Sequence, residues 1–442
     1  MLDTLISNVT IVTMDERMQV LFGACLGISQ GKISYIGKNP PEEKPEVIVD
    51  GTGMVAMPGL INCHTHLHTT LLRGLVDDVS NREALETLLQ KESKLDNRSA
   101  KASALLGIAE CLRFGITSVS DLTLFPQAVA EAADEAGIKA NIALAAQRFA
   151  DENEEFDFET DSQCQELCRM KEAWHGHDKG RIRVDAGIYA QYTSNAPLWE
   201  GLSDYAAEAG LGLQLHLSQT EGEVQDCEDR TGLTPGELLS CHRVFRVPVT
   251  AADCACLTEE ERKLLGQHHA SAVALPIAAA KSGKPSTPIS RSVKAGMNVA
   301  LGTGGAAECG NLDMFQVMRS AALSQRVADG APETMPPQAV LMMATVCGAR
   351  AQGRSGETGM LKEGMDADII LVDFTAPHLM PCHNVLSGLV FSANGADVAM
   401  TMVQGKILYQ NGKFTTIDLG AVVQELTQYA IDRAFSEESH GA

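Results

Sequence analysis

Eight times between residues 54 and 305, an apolar strand-like run gives way to a helical segment, which is the signature of parallel β-α units. The strand-like runs are "MVAMPGLINCH" (54–64), "ITSVSDL" (116–122), "KANIALAAQ" (139–147), "RVDAGIYA" (183–190), "LGLQLHLS" (211–218), "VTAADCACL" (249–257), "ASAVALP" (270–276) and "MNVALGTGG" (297–305). Helical segments such as "SAKASALLGIAECLRFG" and "FPQAVAEAADEAG" end on Gly115 and Gly137, where a left-handed residue belongs. Eight units favour an α/β chain closed as a (β/α)8 TIM barrel over an open doubly wound sheet. Chemistry in such barrels sits at the C-terminal ends of the strands.

The chain ends have a different texture. Residues 2–50 contain "TLISNVTIVT", "CLGISQ" and "KISYIGK", with Gln30-Gly31 as a hairpin turn, and "ADIILVDF" and "VAMTMVQGKILYQNGKF" repeat the pattern near the other end. Neither end has enough strands for a stable core, so the two are expected to pair. The expected organisation is a first β-sandwich part at 1–56, a barrel at 57–360, a second sandwich part at 361–420, and a helix and frayed tail at 421–442, giving a small β-sandwich domain formed by both chain termini. There is no internal repeat and no low-complexity segment.

The 57 acidic and 35 basic side chains give a net charge of -22, a field that repels nucleic acid and anionic membrane surfaces. Twelve cysteines are scattered without a second pair at zinc-finger spacing, and neither a secretory leader nor an apolar run of membrane-spanning length is evident. A reducing, cytoplasmic setting with buried thiols is the expectation.

Within "GLINCHTHLH", His64 and His66 stand two apart at the end of the first strand, so their imidazoles can face one metal ion. His216 ends the fifth strand in "LQLHLSQT". Three histidines at strand C-termini of one barrel point to a site rather than to three unrelated core residues.

Four stretches together resemble the amidohydrolase superfamily, in its branch of adenosine-type and guanine deaminases and triazine chlorohydrolases: "MPGLINCHTHLHTTLLRGLVDD", "LHLSQT", "VALGTGGAAECGNLDMF" and "GMLKEGMDADIILVDF". The resemblance implies a zinc or iron ion held by His64, His66, His216 and an aspartate of the eighth strand, with that aspartate and a glutamate after the fifth-strand histidine moving protons. It also implies a small heterocycle or nucleoside as partner and a homo-oligomer.

Several family positions are changed. The glutamate of "HLSET" is Gln219, the histidine of "AHC" is Asp253, and the aspartate of "GTDG" is Gly304. Tyr189 and Gln191 replace the histidine and proline of "HAPYT", and "ALPIAA" (274–279) replaces "HNPxSN". Asp253 is the candidate replacement ligand or acid-base group, while Tyr189, Gln191 and Arg73 are the candidate substrate contacts. Glu221 and Glu223 are weaker candidates for proton transfer, and Cys309 is a weak candidate nucleophile.

Losing general acid-base groups removes roughly 10²- to 10⁴-fold in rate. The favoured expectation is therefore a deaminase relative impaired in ordinary deamination. The alternatives are a rearranged metal-dependent hydrolase acting on C–N or C–halogen bonds of a heterocycle, and a non-catalytic assembly or ligand-binding protein with a filled barrel mouth.

Overall fold

The structure, a computed structural model, describes residues 2–149 and 155–436; the last six positions of the expected tail lie outside it. Eight parallel strands form the expected barrel in sequence order: Leu60–Thr65, Ile116–Thr123, Lys139–Leu144, Ile182–Ala190, Leu213–Leu217, Val249–Asp253, Ser271–Ala274 and Asn298–Leu301. Their β-branched and small apolar residues are buried on both faces, as parallel strands under a helical layer require. The seam between the eighth and first strands is closed by side chains as well as backbone. Asn62 Nδ2 donates to Thr303 Oγ1 at 2.7 Å, Thr303 N–H donates back to Asn62 Oδ1 at 3.1 Å, and Gly304 N–H donates to the His64 carbonyl at 3.0 Å.

One expected strand divides in two. Residues 54–64 read as a single run, but Met54–Pro58 joins the terminal sheet and only Leu60–Thr65 enters the barrel. Gly59 is the break because a Cβ there would lie 2.1 Å from Thr117 Oγ1, so only glycine lets the chain cross the second strand.

The helices start and stop on local chemistry. Asp96 accepts from Ser99 N–H at 2.9 Å to open Asn97–Arg113, and Asp313 accepts from Phe315 N–H at 2.9 Å to open Met314–Asp329. Gly115 and Gly137 hold φ of +81° and +85° after their helices, as their positions predict. Apolar helix faces and the outer barrel surface share one large buried cluster.

Both termini contribute to a separate nine-stranded sheet, in which Met54–Pro58 lies between Leu2–Val12 and Ile369–Asp373. Gln30-Gly31, Gln404-Gly405 and Asn411-Gly412 all take positive φ, the left-handed geometry of tight hairpins. Its interior packs Ile6, Val9, Ile11 and Leu26 against Ile369, Leu371 and Met400. Among the described residues, no helix is long and apolar enough to cross a membrane.

At the base of the barrel, Lys139 is fully buried and its Nζ reaches Asp366 Oδ2 at 2.7 Å and Asp368 Oδ2 at 2.5 Å. Arg354, also fully buried, donates to the carbonyls of Gly180, Ala140 and Arg181 at 2.7, 3.2 and 2.9 Å and to Asn141 Oδ1 at 3.0 Å. These groups tie the C-terminal return segment to the barrel floor.

Candidate active site

At the opposite end, His64, His66 and His216 converge, with one ring nitrogen from each lying within 4.8 Å of the others. The alternation of a strand places His64 and His66 on the same side, and His216 enters from the fifth strand with its ring centroid 4.7 Å from that of His64. Two backbone carbonyls orient the rings. His66 Nδ1 lies 2.6 Å from Leu122 O and His216 Nδ1 lies 2.7 Å from Tyr189 O, so each Nδ1 carries the proton and donates. That tautomer leaves each Nε2 lone pair directed into the barrel mouth.

His64 Nε2 and His216 Nε2 lie 3.1 Å apart. Two nitrogens on one tetrahedral zinc lie roughly 3.3 Å apart, given Zn–N bonds of about 2.05 Å, so the spacing suits a common ion. Burial holds all three imidazoles below their usual pKa, and in His64 the neighbouring rings push the same way. Neutral imidazole is the ligating form. The donor set therefore fits a divalent ion, and three nitrogens suit zinc or iron(II).

The mouth opens into a cavity of about 510 Å³, within the range of small-molecule sites, so it is not filled by its own side chains. The three histidines, Asp253, Glu223 and Glu308 line its floor, and Leu85, Leu88 and Leu89 of the helix Asn81–Glu92 form an apolar wall. Ser218, Asp253 and Cys254 hold φ of +48°, +70° and +52° at the ends of the fifth and sixth strands. Left-handed non-glycine residues clustered at one mouth mark a backbone held in place by its surroundings.

Asp253 pairs in register with Leu217, beside His216, and lines the cavity without joining the three-imidazole group. Gln219 Nε2 donates to Asp253 Oδ2 at 2.8 Å, and Lys284 Nζ donates to Gln219 Oε1 at 3.2 Å, which fixes the amide's orientation. Burial pushes the Asp253 carboxyl up to about 6, against the opposing pull of the Gln219 bond and Lys284. Glu223 turns back to accept from Ser218 and Gln219 N–H at 3.1 and 2.6 Å, and burial pushes it up to about 7. Glu308 differs. Burial acts to raise its carboxyl, but His66, Lys284 and His216 together hold it below the ordinary carboxylate value.

Tyr189 reaches the cavity, its ring centroid 5.0 Å from that of His216. Gln191 and Arg73 do not line it. Gln191 is buried in the short turn Gln191–Thr193, and Arg73 forms an ion pair with Glu110 while donating to the Gly310 carbonyl. Glu221 is exposed outside the cavity, and burial pushes the Cys309 thiol up to about 12, a range in which it is not a nucleophile near neutrality.

His68 is buried at the edge of the site, with Nδ1 at 3.0 Å from Thr123 Oγ1 and Nε2 at 3.4 Å from Glu92. Lys284 was not legible as a site residue because it comes from a loop with no motif of its own. Glu308 follows Gly304 by four residues, but Gly304 precedes the short helix Ala306–Cys309 and holds φ +73°, so the spacing alone did not announce their approach.

A family model described as "Amidohydrolase family" matches residues 55–408. A 5'-deoxyadenosine deaminase of Methanosarcina mazei is 35% identical over 431 residues, covering 97% of this chain and 98% of its own. A 5-methylthioadenosine/S-adenosylhomocysteine deaminase of Caldicellulosiruptor saccharolyticus is 34% identical, covering 96% and 97%. The crystal structure of an adenosine deaminase from Xanthomonas campestris with bound zinc superposes with a TM-score of 0.91 at 27% identity, covering 98% of each chain.

Proposed function

This chain belongs to the amidohydrolase family, and from that premise we propose that it is a metal-dependent hydrolase of a small nucleoside or amino-substituted heterocycle with a rearranged set of proton-handling groups. The observation that carries this reading is the convergence of three neutral imidazoles, two of them oriented by backbone carbonyls, on the floor of an open cavity that also holds ionisable carboxyl groups. His64, His66 and His216 would hold zinc or iron(II), whose Lewis acidity makes water nucleophilic near neutral pH.

The remaining chemistry belongs to the chain. Leu85, Leu88 and Leu89 exclude water from one face of a planar ring, and Tyr189 packs beside His216. Asp253, raised to about 6, changes protonation near neutrality and is held toward the cavity by Gln219. Gln219 is an amide and positions without exchanging protons. Because the group after the fifth-strand histidine cannot protonate a leaving amine, substrates with a better leaving group on an activated C–N or C–halogen bond are favoured.

Metal analysis after zinc or iron add-back, followed by ammonia or halide release from an adenosine-type and a triazine-type compound, tests the proposal. Stoichiometric metal with chelator-sensitive release supports it. Protein that takes up no metal overturns it. The impaired or ligand-binding reading rests on Gln219, and is favoured instead if a metal-loaded protein is thermally stabilised by the heterocycle yet releases nothing.

We further propose domain limits near 56, 360 and 420. The pairing of Met54–Pro58 with Ile369–Asp373 supports assigning both ends of the chain to one unit outside the barrel.

A further inference from the structure

Gly304 lies at the end of the eighth strand, where a side chain would project into the mouth, and it has none. A Cβ built on it would lie 3.2 Å from Glu308 Oε2, so the glutamate carboxylate already occupies the space such a side chain would enter. Three features bring it there. Gly304 turns the chain at φ +73°, the short helical segment Ala306–Cys309 brings residue 308 back over the strand end, and Gly305 N–H donates to Glu308 Oε2 at 3.2 Å.

The same carboxylate lies near His66, just outside the group formed by the three imidazoles. A Cβ on Gly305 would fall 3.3 Å from His66 Cβ and 3.6 Å from Glu308 Oε2, so little more than the width of a glycine separates the histidine from the glutamate. Both residues line the cavity.

We propose that Glu308 supplies the anionic carboxylate of this centre in place of the side chain missing at Gly304, balancing the charge of a divalent ion held by His64, His66 and His216. This rests on the metal-dependent reading above. The carboxylate has moved four positions along the chain and returns to nearly the same point in space, with the extra methylene of glutamate providing reach. Acting as a backbone cap for Gly305 would explain the hydrogen bond alone. It would not require a charge.

Glu308→Gln separates the two roles, because the amide oxygen still accepts from Gly305 N–H while the charge is lost. Metal-stripped wild type, E308Q, H216A and the double variant G304D/E308A are titrated with zinc against a chromophoric chelator, and the cobalt(II)-loaded forms are compared by visible spectrum. The expected result is zinc binding weakened roughly 10- to 100-fold in E308Q, with an altered cobalt spectrum and unchanged thermal stability of the metal-free protein. Most of the affinity should return in G304D/E308A. Wild-type affinity and an unaltered spectrum in E308Q, with zinc lost in H216A, would overturn this inference alone. A wild-type protein that binds no zinc would overturn the proposed function as well.

Discussion

The two ends of the barrel treat buried charge in opposite ways. At the base, Lys139 meets two carboxylates and Arg354 has four oxygen partners. At the mouth, Asp253 and Glu223 are buried with too little positive charge nearby, and both are pushed up toward neutrality. Hydrogen-bonded charge at the base contributes a rigid floor, although burial pulls the Arg354 guanidinium down to about 10. Unsatisfied charge at the mouth is a standing strain, tolerated where protons or ions must be exchanged. Substitutions at the base should therefore weaken the fold, and substitutions at the mouth should alter binding or even relieve the fold.

The largest effect is expected from Lys139→Met, which strands Asp368 and leaves Asp366 with Lys32 alone. Removing one partner of a buried ion cluster costs about 3–5 kcal/mol, seen as a large drop in thermal midpoint or as insoluble protein. Wild-type stability in K139M would show that the barrel floor does not depend on this ion cluster.

Next comes Glu223→Gln, read as a pH profile. The folded-state pKa lies near 7 against an ordinary value of 4.5, so the folded protein binds the extra proton. The associated stability is fully present below pH 4.5 and is lost as pH rises through 7. From acid to pH 8 the wild type should lose on the order of 2–3 kcal/mol relative to E223Q. Parallel denaturation curves at both pH values would show that this carboxyl is not strained.

Smaller still is His216→Ala. It removes a bond to the Tyr189 carbonyl that still faces the cavity, so stability should fall by about 1 kcal/mol, while elemental analysis should show the metal gone. The smallest effect is expected away from both ends. Arg98 is paired with Glu425 on the surface, and Glu425→Ala should change stability by under about 1 kcal/mol in the same denaturation assay.

Legibility in the sequence follows the range of the interactions. The eight strands, the helix-ending glycines and the hairpin dipeptides are local signals, and apart from the division of the first strand each appears where its residues place it. The three histidines could be read because each ends a recognisable strand. The split at Gly59 could not, since it depends on Thr117 approaching from another strand. Likewise, the base cluster joins residues 227 and 229 positions apart, and nothing near Lys139 announces Asp366 or Asp368. Gln219 and Gly304 were visible as losses, whereas the return of Glu308 depends on a turn and a side-chain direction that the residue order does not state. Arg73 and Gln191 show the reverse case: motif position suggested the mouth, but Glu110 holds Arg73 elsewhere and Gln191 is buried in the turn after the fourth strand.

Ribosomes deliver Lys139 long before they deliver Asp366, with 227 positions between them. At roughly 5–20 residues per second, that interval lasts on the order of 10–50 s. Throughout it, the third strand carries an ammonium group with no counter-charge, and the half-made barrel has to keep its floor wet. Drying of that floor waits for the final stretch of translation, so a transcript cut short before Asp366 yields a chain that chaperones and proteases can still recognise as unfinished.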